Sequence, residues 1–462
     1  MSTAAQRLSS FSSELSLDQI PLPVQRAAKL HLVDTLGCGL AAHALDTAPA
    51  AREAMRELSE GGPATAIGIE TGLGAGPAAL VNGATCHALD FDDTHPGAIS
   101  HVSVAVAPAA IATGELLGSS GGELLCALVA GNEVTSRIGI AAGERFHARG
   151  FHPTAVCGVF GAAAAAAHLR GLDAATTTQA LGIAGSLAAG LLEFLADGSS
   201  TKRLHPGFAA QSGVIAATLA AHGATGPASV LEGRFGVYRA FLDEDVDIES
   251  ALGDLGSHWE TPRIAFKPYP ACHYIHAPLD AAVAAVTEEG LASEDIDELV
   301  VVSPPAGVEL VLEPAAGKAR PRSEYEAKFS LPYSVASYLL RGPVDVATYT
   351  DEAIADEAVL ALAGRIGYEV KEFDTAGQAF PGGVRIRTTD GRWIERELLF
   401  QRGDPENPMS DAEVLEKYAA NARLALDDSD RDALASTVMA IELESDLSPL
   451  RILAGAARQV AS

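Results

Sequence analysis

The chain has 462 residues, of which 48% are hydrophobic and 20% are charged, as is typical of a folded globular protein with room for two or three domains. A formal net charge of −28 argues against binding to nucleic acid or to an anionic membrane surface. A small anion is not excluded as a ligand, because local Lys and His side chains can oppose the global field.

Cysteine usage and the amino-terminal segment indicate a cytoplasmic protein. The five cysteines are an odd number without CxxC spacing, which indicates reduced thiols rather than a disulfide framework. Residues 1–16 lack the basic and apolar regions of a secretory signal. Because no charge-free run of about 20 apolar residues occurs, we expect no membrane span.

The first half of the chain, from residue 1 to about 245, predicts one helix after another, with almost no strand signals. Residues 154–169 and 212–223 consist mostly of small apolar side chains. Such segments are typical of buried helices whose Gly and Ala faces let neighbouring backbones approach closely.

The pattern changes after Lys267. Residues 297–305 predict a buried strand, and the alternation of residues 384–400 around Asp390-Gly391 predicts a β-hairpin. Helical patterns lie between these strands, at residues 275–288, 327–340 and 351–366.

The tail returns to helix, starting from a capping box formed by Ser410 and Glu413. The sequence therefore predicts a mainly α fold with two domains. The large all-helical domain would comprise residues 1–266 and 405–462, and a smaller inserted α+β domain would comprise residues 267–404.

Four polar stretches interrupt the apolar helical texture. The first, HALDFDDTHPGAISH, contains three acids and three histidines within fifteen residues. The four stretches are residues 87–101, 148–158, 196–210 and 267–280.

Two explanations compete for the first stretch when it is taken alone. Its acid triplet resembles those of Mg²⁺-dependent enzymes, but the chain has no second acidic set and no phosphate-binding loop. Its histidines, His87, His95 and His101, do not have the HxH or HxxxH spacing of a transition-metal site. The favoured explanation is a capped helix end, and His87 and His95 are expected to have ordinary structural roles.

Taken together, the four stretches predict a proton-transfer site for carboxylates. Lys202 and Lys267 supply positive charge, and His101 and His152 can exchange a proton near neutral pH. The acids of residues 90–93 can orient the imidazoles or bind a substrate hydroxyl. This chemistry needs neither a metal nor an organic cofactor.

Essentially the whole chain resembles the 2-methylcitrate dehydratase (MmgE/PrpD) family. The matching signature segments are, in order, HALDFDDTHPGAISH, RGFHPTAVCGVFGAAAAAAHLRGL, DGSSTKRLHPGFAAQSG and KPYPACHYIHAPLDA. The resemblance implies a large all-helical domain with a smaller α+β domain, a homodimer and no cofactor. Family members include 2-methylcitrate dehydratases, cis-aconitate decarboxylases and iminodisuccinate epimerases, which all act next to carboxylates.

The resemblance also implies which residues form the site. The implied catalytic residues are His101, His152, Asp90, Lys202, Lys267 and Tyr333. The implied substrate contacts are Thr94, Lys202, Lys267 and His273. In this set the two histidines His101 and His152 are the acid/base candidates, the lysines anchor carboxylates, and no residue is assigned to a metal.

Two departures argue against decarboxylation. Where the decarboxylase branch has a His directly after Pro-Ala in the fourth motif, this chain has Cys272, followed by His273. The spacing from Thr94 to His101 is also one residue longer than in that branch. We therefore expect a dehydratase-like lyase of a small di- or tricarboxylate. The alternatives are an iminodisuccinate-type epimerase, a cis-aconitate-type decarboxylase, and a catalytically silent helical binding protein.

Overall fold

The computed structural model describes residues 2–375 and 379–458. Within these residues the chain is mainly helical, as predicted, and divides into two compact units. The first unit comprises the described residues up to Ala88, residues 92–264 and those from Ser410 onward. The second comprises residues 89–91 and 265–409. That the second is an inserted α+β domain with boundaries at residues 267 and 404 stays a prediction.

The first unit contains helices of widely varying length and one short β-hairpin. Its elements are α1 (Ala4–Glu14), α2 (Leu22–Ala44), α3 (Pro49–Leu58), β1 (Ala64–Ala66), β2 (Ile69–Leu73), α4 (Ala75–His87), α5 (Ser103–Leu117), α6 (Gly121–Ala142), α7 (Arg145–Ala148), α8 (Pro153–Leu169), α9 (Ala174–Gly185), α10 (Phe194–Asp197), α11 (Thr201–Ala221), α12 (Val237–Leu242) and α13 (Glu249–Leu252). The antiparallel pair of β1 and β2 was not expected from the sequence.

The centre of the first unit is the helix α8, which packs against α6 and α11. All its residues from Pro153 to Ala167 are buried, which confirms the prediction for this segment. Small residues make the close packing possible, because a methyl group at Gly161 would collide with the Thr135 hydroxyl of α6.

The prediction for residues 212–223 is only half right. Gly213 of α11 packs directly against α8, where an added methyl group would collide with Ala162. On its opposite face, Phe208, Ile215 and Leu219 are between 44% and 46% exposed. Helix α11 is therefore buried along one face only.

Helix α6 has the length and apolar composition of a membrane span. In the described part of the chain no other helix passes that test. Its apolar window is 94% buried inside the protein, as expected for the core helix of a globular unit.

The carboxy-terminal helices α21 (Asp411–Ala422) and α22 (Asp428–Met439) return to the first unit. The predicted capping box is confirmed, since Ser410 and Glu413 bond to each other's backbone N–H groups. Helix α21 is tied to α2 by a buried ion pair, in which Lys417 Nζ lies 2.8 Å from Asp34 Oδ1.

The second unit contains a four-stranded sheet and several short helices. Its elements are α14 (His276–Glu289), β3 (Ile296–Ser303), α15 (Pro305–Gly307), α16 (Ala315–Ala319), α17 (Glu324–Ala327), α18 (Leu331–Arg341), α19 (Asp351–Ile354), α20 (Glu357–Ala363), β4 (Gly367–Val370), β5 (Gly382–Thr388) and β6 (Trp393–Leu398). Helix α14 packs against β5 and β6.

The sheet has the strand order β4-β3-β5-β6. The predicted strand at residues 297–305 corresponds to β3, and the predicted hairpin is the antiparallel pair of β5 and β6. Gly391 in the connecting turn has a φ of 89°, which an L side chain would strain. Strand β4, which pairs parallel to β3, was not predicted.

A buried histidine cluster as the candidate active site

Four histidines of the first unit form a buried cluster. The ring centroids of His87 and His101 lie 4.6 Å apart, and those of His87 and His152 lie 5.8 Å apart. His205 joins on the other side of His152, at 5.2 Å. All four histidines are buried.

Helix ends position these side chains. His87 is the last residue of α4, and His101 lies two residues before α5 begins. His152 is the residue that precedes α8, where Pro153 fits the first helical position. His205 lies in the first turns of α11. The cluster therefore forms where four small-residue helices begin or end.

One carboxylate organises two of the rings. Asp92 is fully buried, and its Oδ2 lies 2.9 Å from both His87 Nδ1 and His101 Nδ1. Burial alone would raise the pKa of Asp92, but His87 and His101 beside it hold that pKa far below its usual range. Asp92 is therefore an acceptor, and in each neutral ring Nδ1 carries the hydrogen and Nε2 the lone pair.

His101 has further contacts that fix its position. Its backbone N–H donates to Thr154 Oγ1 over 3.0 Å, and its Nδ1 lies 3.3 Å from Thr94 Oγ1. Thr94 thus lies beside the imidazole that the sequence analysis assigned to proton transfer. These contacts hold the imidazole through the His101 backbone and through Nδ1. Nε2 is therefore the ring nitrogen that can accept a proton.

The other imidazoles are neutral at neutral pH. Burial lowers the pKa of His87 and of His205 to about 4. The pKa of His152 lies well below its usual value, mainly through burial and then through the charge of Lys202. Neutral imidazoles that are held in place can accept a proton, as a general base must.

Lys202 brings positive charge to the cluster. Lys202 is the second residue of α11, after Thr201, and is 7% exposed. Its charge lowers the pKa of His87, His152 and His205, so it lies within electrostatic range of all three rings. An ammonium beside neutral bases is suited to binding the carboxylate of a substrate whose neighbouring carbon exchanges a proton.

Asp93 and His95 have other hydrogen-bond partners. Asp93 accepts hydrogen bonds from the backbone N–H and hydroxyl of Ser103, at the start of α5. It therefore holds a helix amino terminus, as the capped-helix explanation predicted. His95 Nε2 lies 3.0 Å from Glu260 Oε2, and its structural role stays a prediction.

His87 was expected to have an ordinary structural role, but the structure brings this residue into the cluster. Among the acids of residues 90–93, which were predicted to orient the imidazoles, Asp92 contacts His87 and His101, whereas His205 was given no role from the sequence. The sequence feature that could have pointed to His87 was its position at a helix end, five residues before an acid. Its Nε2 is buried without a hydrogen-bond partner among the described residues.

In the second unit, Asp90 and Lys267 form a closed ion pair. Lys267 Nζ donates to Asp90 Oδ1 over 2.8 Å and to the Asp90 carbonyl oxygen over 3.0 Å. The φ of Asp90 is 55°, a left-handed conformation in which both oxygens reach the same ammonium. Both residues are buried.

The other two predicted residues of the second unit have different surroundings. His273 stacks on Phe380, with ring centroids 4.6 Å apart. The Tyr333 hydroxyl donates to the Thr348 carbonyl over 2.8 Å, and Tyr333 lines a cleft of about 580 Å³. Of the predicted site residues, the first unit contains Thr94, His101, His152 and Lys202, and the second contains Asp90, Lys267, His273 and Tyr333.

Three of the clustered imidazoles could bind a metal ion. His87, His101 and His152 each offer one nitrogen, and these atoms lie within 4.8 Å of one another. Three imidazoles can form a zinc site when the nitrogens converge. Because Asp92 occupies two Nδ1 atoms, such an ion would have to be bound by Nε2 of His87 and His101.

Comparison with known proteins matches most of the chain. Residues 6–249 match the MmgE/PrpD N-terminal domain, and residues 269–443 match the MmgE/PrpD C-terminal domain. A cis-aconitate decarboxylase of Aspergillus terreus is 28% identical over 95% of this chain and 93% of its own length. The human cis-aconitate decarboxylase is 30% identical over 93% of this chain and 90% of its own length. A cis-aconitate decarboxylase-like protein of Aspergillus oryzae is 27% identical over 96% of both chains.

Proposed function

The chain belongs to the MmgE/PrpD family, and we propose that it is a lyase that transfers a proton at a carbon next to a carboxylate of a small di- or tricarboxylate. One observation carries this proposal: two imidazoles are held at Nδ1 by the ionised Asp92, beside the neutral His152. The relatives, which are named as decarboxylases, support a lyase-type activity.

In this proposal His101 is the base. Its Nε2 takes the proton from the substrate carbon, and the imidazolium that forms keeps its Nδ1–H bond to Asp92. The buried carboxylate stabilises that positive charge, as an orienting acid does in other histidine-based active sites. Lys202 binds the carboxylate next to the reacting carbon and stabilises the negative charge that develops on it.

Loss of water is the reaction that we propose. The C–H electron pair forms the new double bond, the C–O bond breaks, and the hydroxyl leaves as water after taking a proton from a second group. His152 is the candidate for that group; because its imidazole is neutral in the resting cluster, it first takes up at Nε2 the proton that His101 removed. The imidazoles of His87, His152 and His205 are neutral, so these three rings carry no extra proton to donate in the resting state.

Decarboxylation is the second candidate, because three similar proteins carry that activity or a likeness to it in their names. For an unsaturated tricarboxylate, a C–C bond breaks, CO₂ leaves, and the electron pair shifts through the double bond. The carbon that receives the electrons then takes a proton from an imidazolium. This order needs a protonated histidine at the start, and the low pKa values of His87 and His152 oppose that role for these two rings.

The experiment that separates these reactions is ¹H NMR of the purified protein in D₂O with citrate, 2-methylcitrate, cis-aconitate and an iminodisuccinate analogue. Dehydration predicts a new alkene signal from a hydroxy acid. Decarboxylation predicts a product with one carboxylate fewer from cis-aconitate. Deuterium in the recovered substrate without an alkene would indicate epimerisation. Absence of turnover on every compound would contradict the proposal.

A metal analysis belongs with this experiment. The proposal predicts that activity survives treatment with a chelator and that zinc, iron and magnesium are substoichiometric. One equivalent of metal, lost together with activity, would instead assign the three imidazoles to metal binding.

We also propose that the chain acts as a homodimer, as the family resemblance implies. Light scattering on the purified protein is expected to give twice the chain mass of 47.5 kDa. A mass of one chain at micromolar concentration would contradict the dimer.

A further inference from the structure

His152 and His205 contact each other through the same atom of each ring. His152 Nδ1 lies 3.0 Å from His205 Nδ1, and both residues are buried. Two nitrogen lone pairs at this distance would repel each other, so one Nδ1 carries a hydrogen and the other accepts it. In the neutral pair the two rings therefore share one Nδ1 hydrogen.

This arrangement differs from that of the neighbouring rings. At Nδ1, His87 and His101 donate to a carboxylate, whereas His152 meets a second imidazole. The charged and titratable groups that act on the pair are Lys202, His87 and His101. The Lys202 ammonium disfavours a positive charge confined to one ring of the pair.

We propose that His205 is the proton-relay partner of His152, so that the two rings take up and return one proton as a unit. The inference rests on the proposed proton-transfer function, which assigns a substrate proton to the cluster. His205 acts through His152 and is therefore a positioning residue. Neither the motif nor the family resemblance singled it out.

The relay can be written as a balanced sequence. In the starting state, His152 Nδ1–H donates to His205 Nδ1, and His205 carries its second hydrogen on Nε2. When His152 Nε2 takes up the proton that His101 removed from the substrate, the Nδ1 hydrogen passes to His205 Nδ1. His152 is then neutral with its hydrogen on Nε2, and His205 is an imidazolium. Reversal of both transfers returns one proton to the leaving group and restores the starting state.

The relay moves the positive charge one ring further from the reacting carbon. It also lets one imidazole act first as a base and then as an acid at the same Nε2 atom. Lys202 lowers the pKa of His205 as well, so the gain lies in the distance of the charge from the reacting carbon rather than in its removal from the lysine.

The first test does not depend on activity. Protein labelled with ¹⁵N-histidine is expected to show one hydrogen-bonded Nδ1–H signal with coupling to two Nδ1 nuclei. That signal should vanish in His152→Asn and in His205→Asn. It should persist in His95→Asn, a matched control whose buried histidine binds Glu260 instead. Two rings that both carry their only hydrogen on Nε2 would overturn the pairing.

The second test uses turnover. His205→Asn keeps a hydrogen-bonding amide near the Nδ1 position but has no group that takes up a proton. We expect kcat to fall about 10- to 100-fold with KM changed less than about 2-fold. The dependence of kcat on the D₂O fraction should be curved for the wild type, because two protons move, and linear for His205→Asn.

The outcomes separate this inference from the proposed function. If the wild type turns over no carboxylate, the proposed function fails and the NMR signal alone decides whether the hydrogen is shared. If the wild type is active but His205→Asn keeps its kcat and the same D₂O dependence, the relay is wrong and the proposed function stands. Circular dichroism and the melting temperature check that the variant is folded.

Discussion

The histidine cluster of the first unit and the Asp90–Lys267 pair of the second are both buried, yet they are built for different chemistry. In the cluster, the Asp92 carboxylate binds the imidazoles of two histidines, His87 and His101. The other two rings, His152 and His205, share a hydrogen between their Nδ1 atoms. In the pair, one ammonium binds a carboxylate and a carbonyl of the same residue. In the histidine cluster, imidazole nitrogens have lone pairs that can accept a proton. The Asp90–Lys267 pair holds charge in place, so burial of ionisable groups alone does not indicate a catalytic base.

The largest expected effect is that of His101→Asn on catalysis. The asparagine amide can still donate to Asp92, but the Nε2 lone pair is lost. We expect kcat to fall about 10³- to 10⁴-fold on whichever carboxylate the wild type turns over. Steady-state kinetics measure this, with His95→Asn as the matched control. A variant within about 10-fold of the wild type would exclude His101 as the base.

The next effect concerns the pair and appears in stability. Lys267→Met leaves the Asp90 carboxylate buried without its ammonium, which should lower the free energy of unfolding by about 3–5 kcal/mol. Denaturant unfolding measures the loss. The double variant Asp90→Asn with Lys267→Met should regain part of it, since no buried charge is then uncompensated. Equal stability of the single variant and the wild type would show that the pair is not closed in solution.

The cluster should also make stability depend on pH. His87 and His205 have pKa values of about 4 in the folded protein, against about 6.5 in an unfolded chain. Between these values the unfolded chain binds more protons, so the free energy of unfolding falls as the pH falls. Each ring contributes on the order of 2–3 kcal/mol, fully present above pH 6.5 and lost progressively toward pH 4.

Denaturant melts at several pH values measure this dependence. His205→Asn should make it shallower, because one of the rings with a lowered pKa is gone. A free energy of unfolding that is unchanged from pH 7 to pH 4.5 would contradict the assignment of neutral, buried imidazoles.

The smallest expected effect is that of Lys202→Met. This variant removes the cation that acts on the clustered imidazoles. We expect KM to rise about 10-fold or more, which corresponds to about 1.4 kcal/mol of binding free energy. The pKa of His152 should also rise once the ammonium is gone. An unchanged KM would remove Lys202 from the carboxylate-binding site.

Local sequence patterns predicted the parts of the fold that depend on local interactions. The Ser410 capping box, the turn at Asp390-Gly391 and the buried small-residue helix α8 are confirmed. The parallel strand β4 was missed because its partner β3 lies far away in sequence. The exposed apolar face of α11 was missed because composition does not show which side of a helix has a neighbour.

The candidate site was predicted residue by residue but not as hydrogen-bonded groups. Sequence analysis selected His101, His152 and Lys202, which the structure brings close to one another. The sequence did not show that Asp92 binds both His87 and His101, because neighbouring acids have the same chemistry until their directions are known. His205 was missed because its partner His152 lies 53 residues away in the sequence.

The most direct test of the central claim is exchange of a substrate proton with solvent. In D₂O, the wild type is expected to introduce or remove label at the carbon next to a carboxylate of the substrate that it turns over. In His101→Asn the same exchange should be at least about 10³-fold slower, although the protein stays folded. Exchange at the wild-type rate in His101→Asn, or turnover without any proton exchange, would contradict the assignment of the histidine cluster as the proton-transfer site.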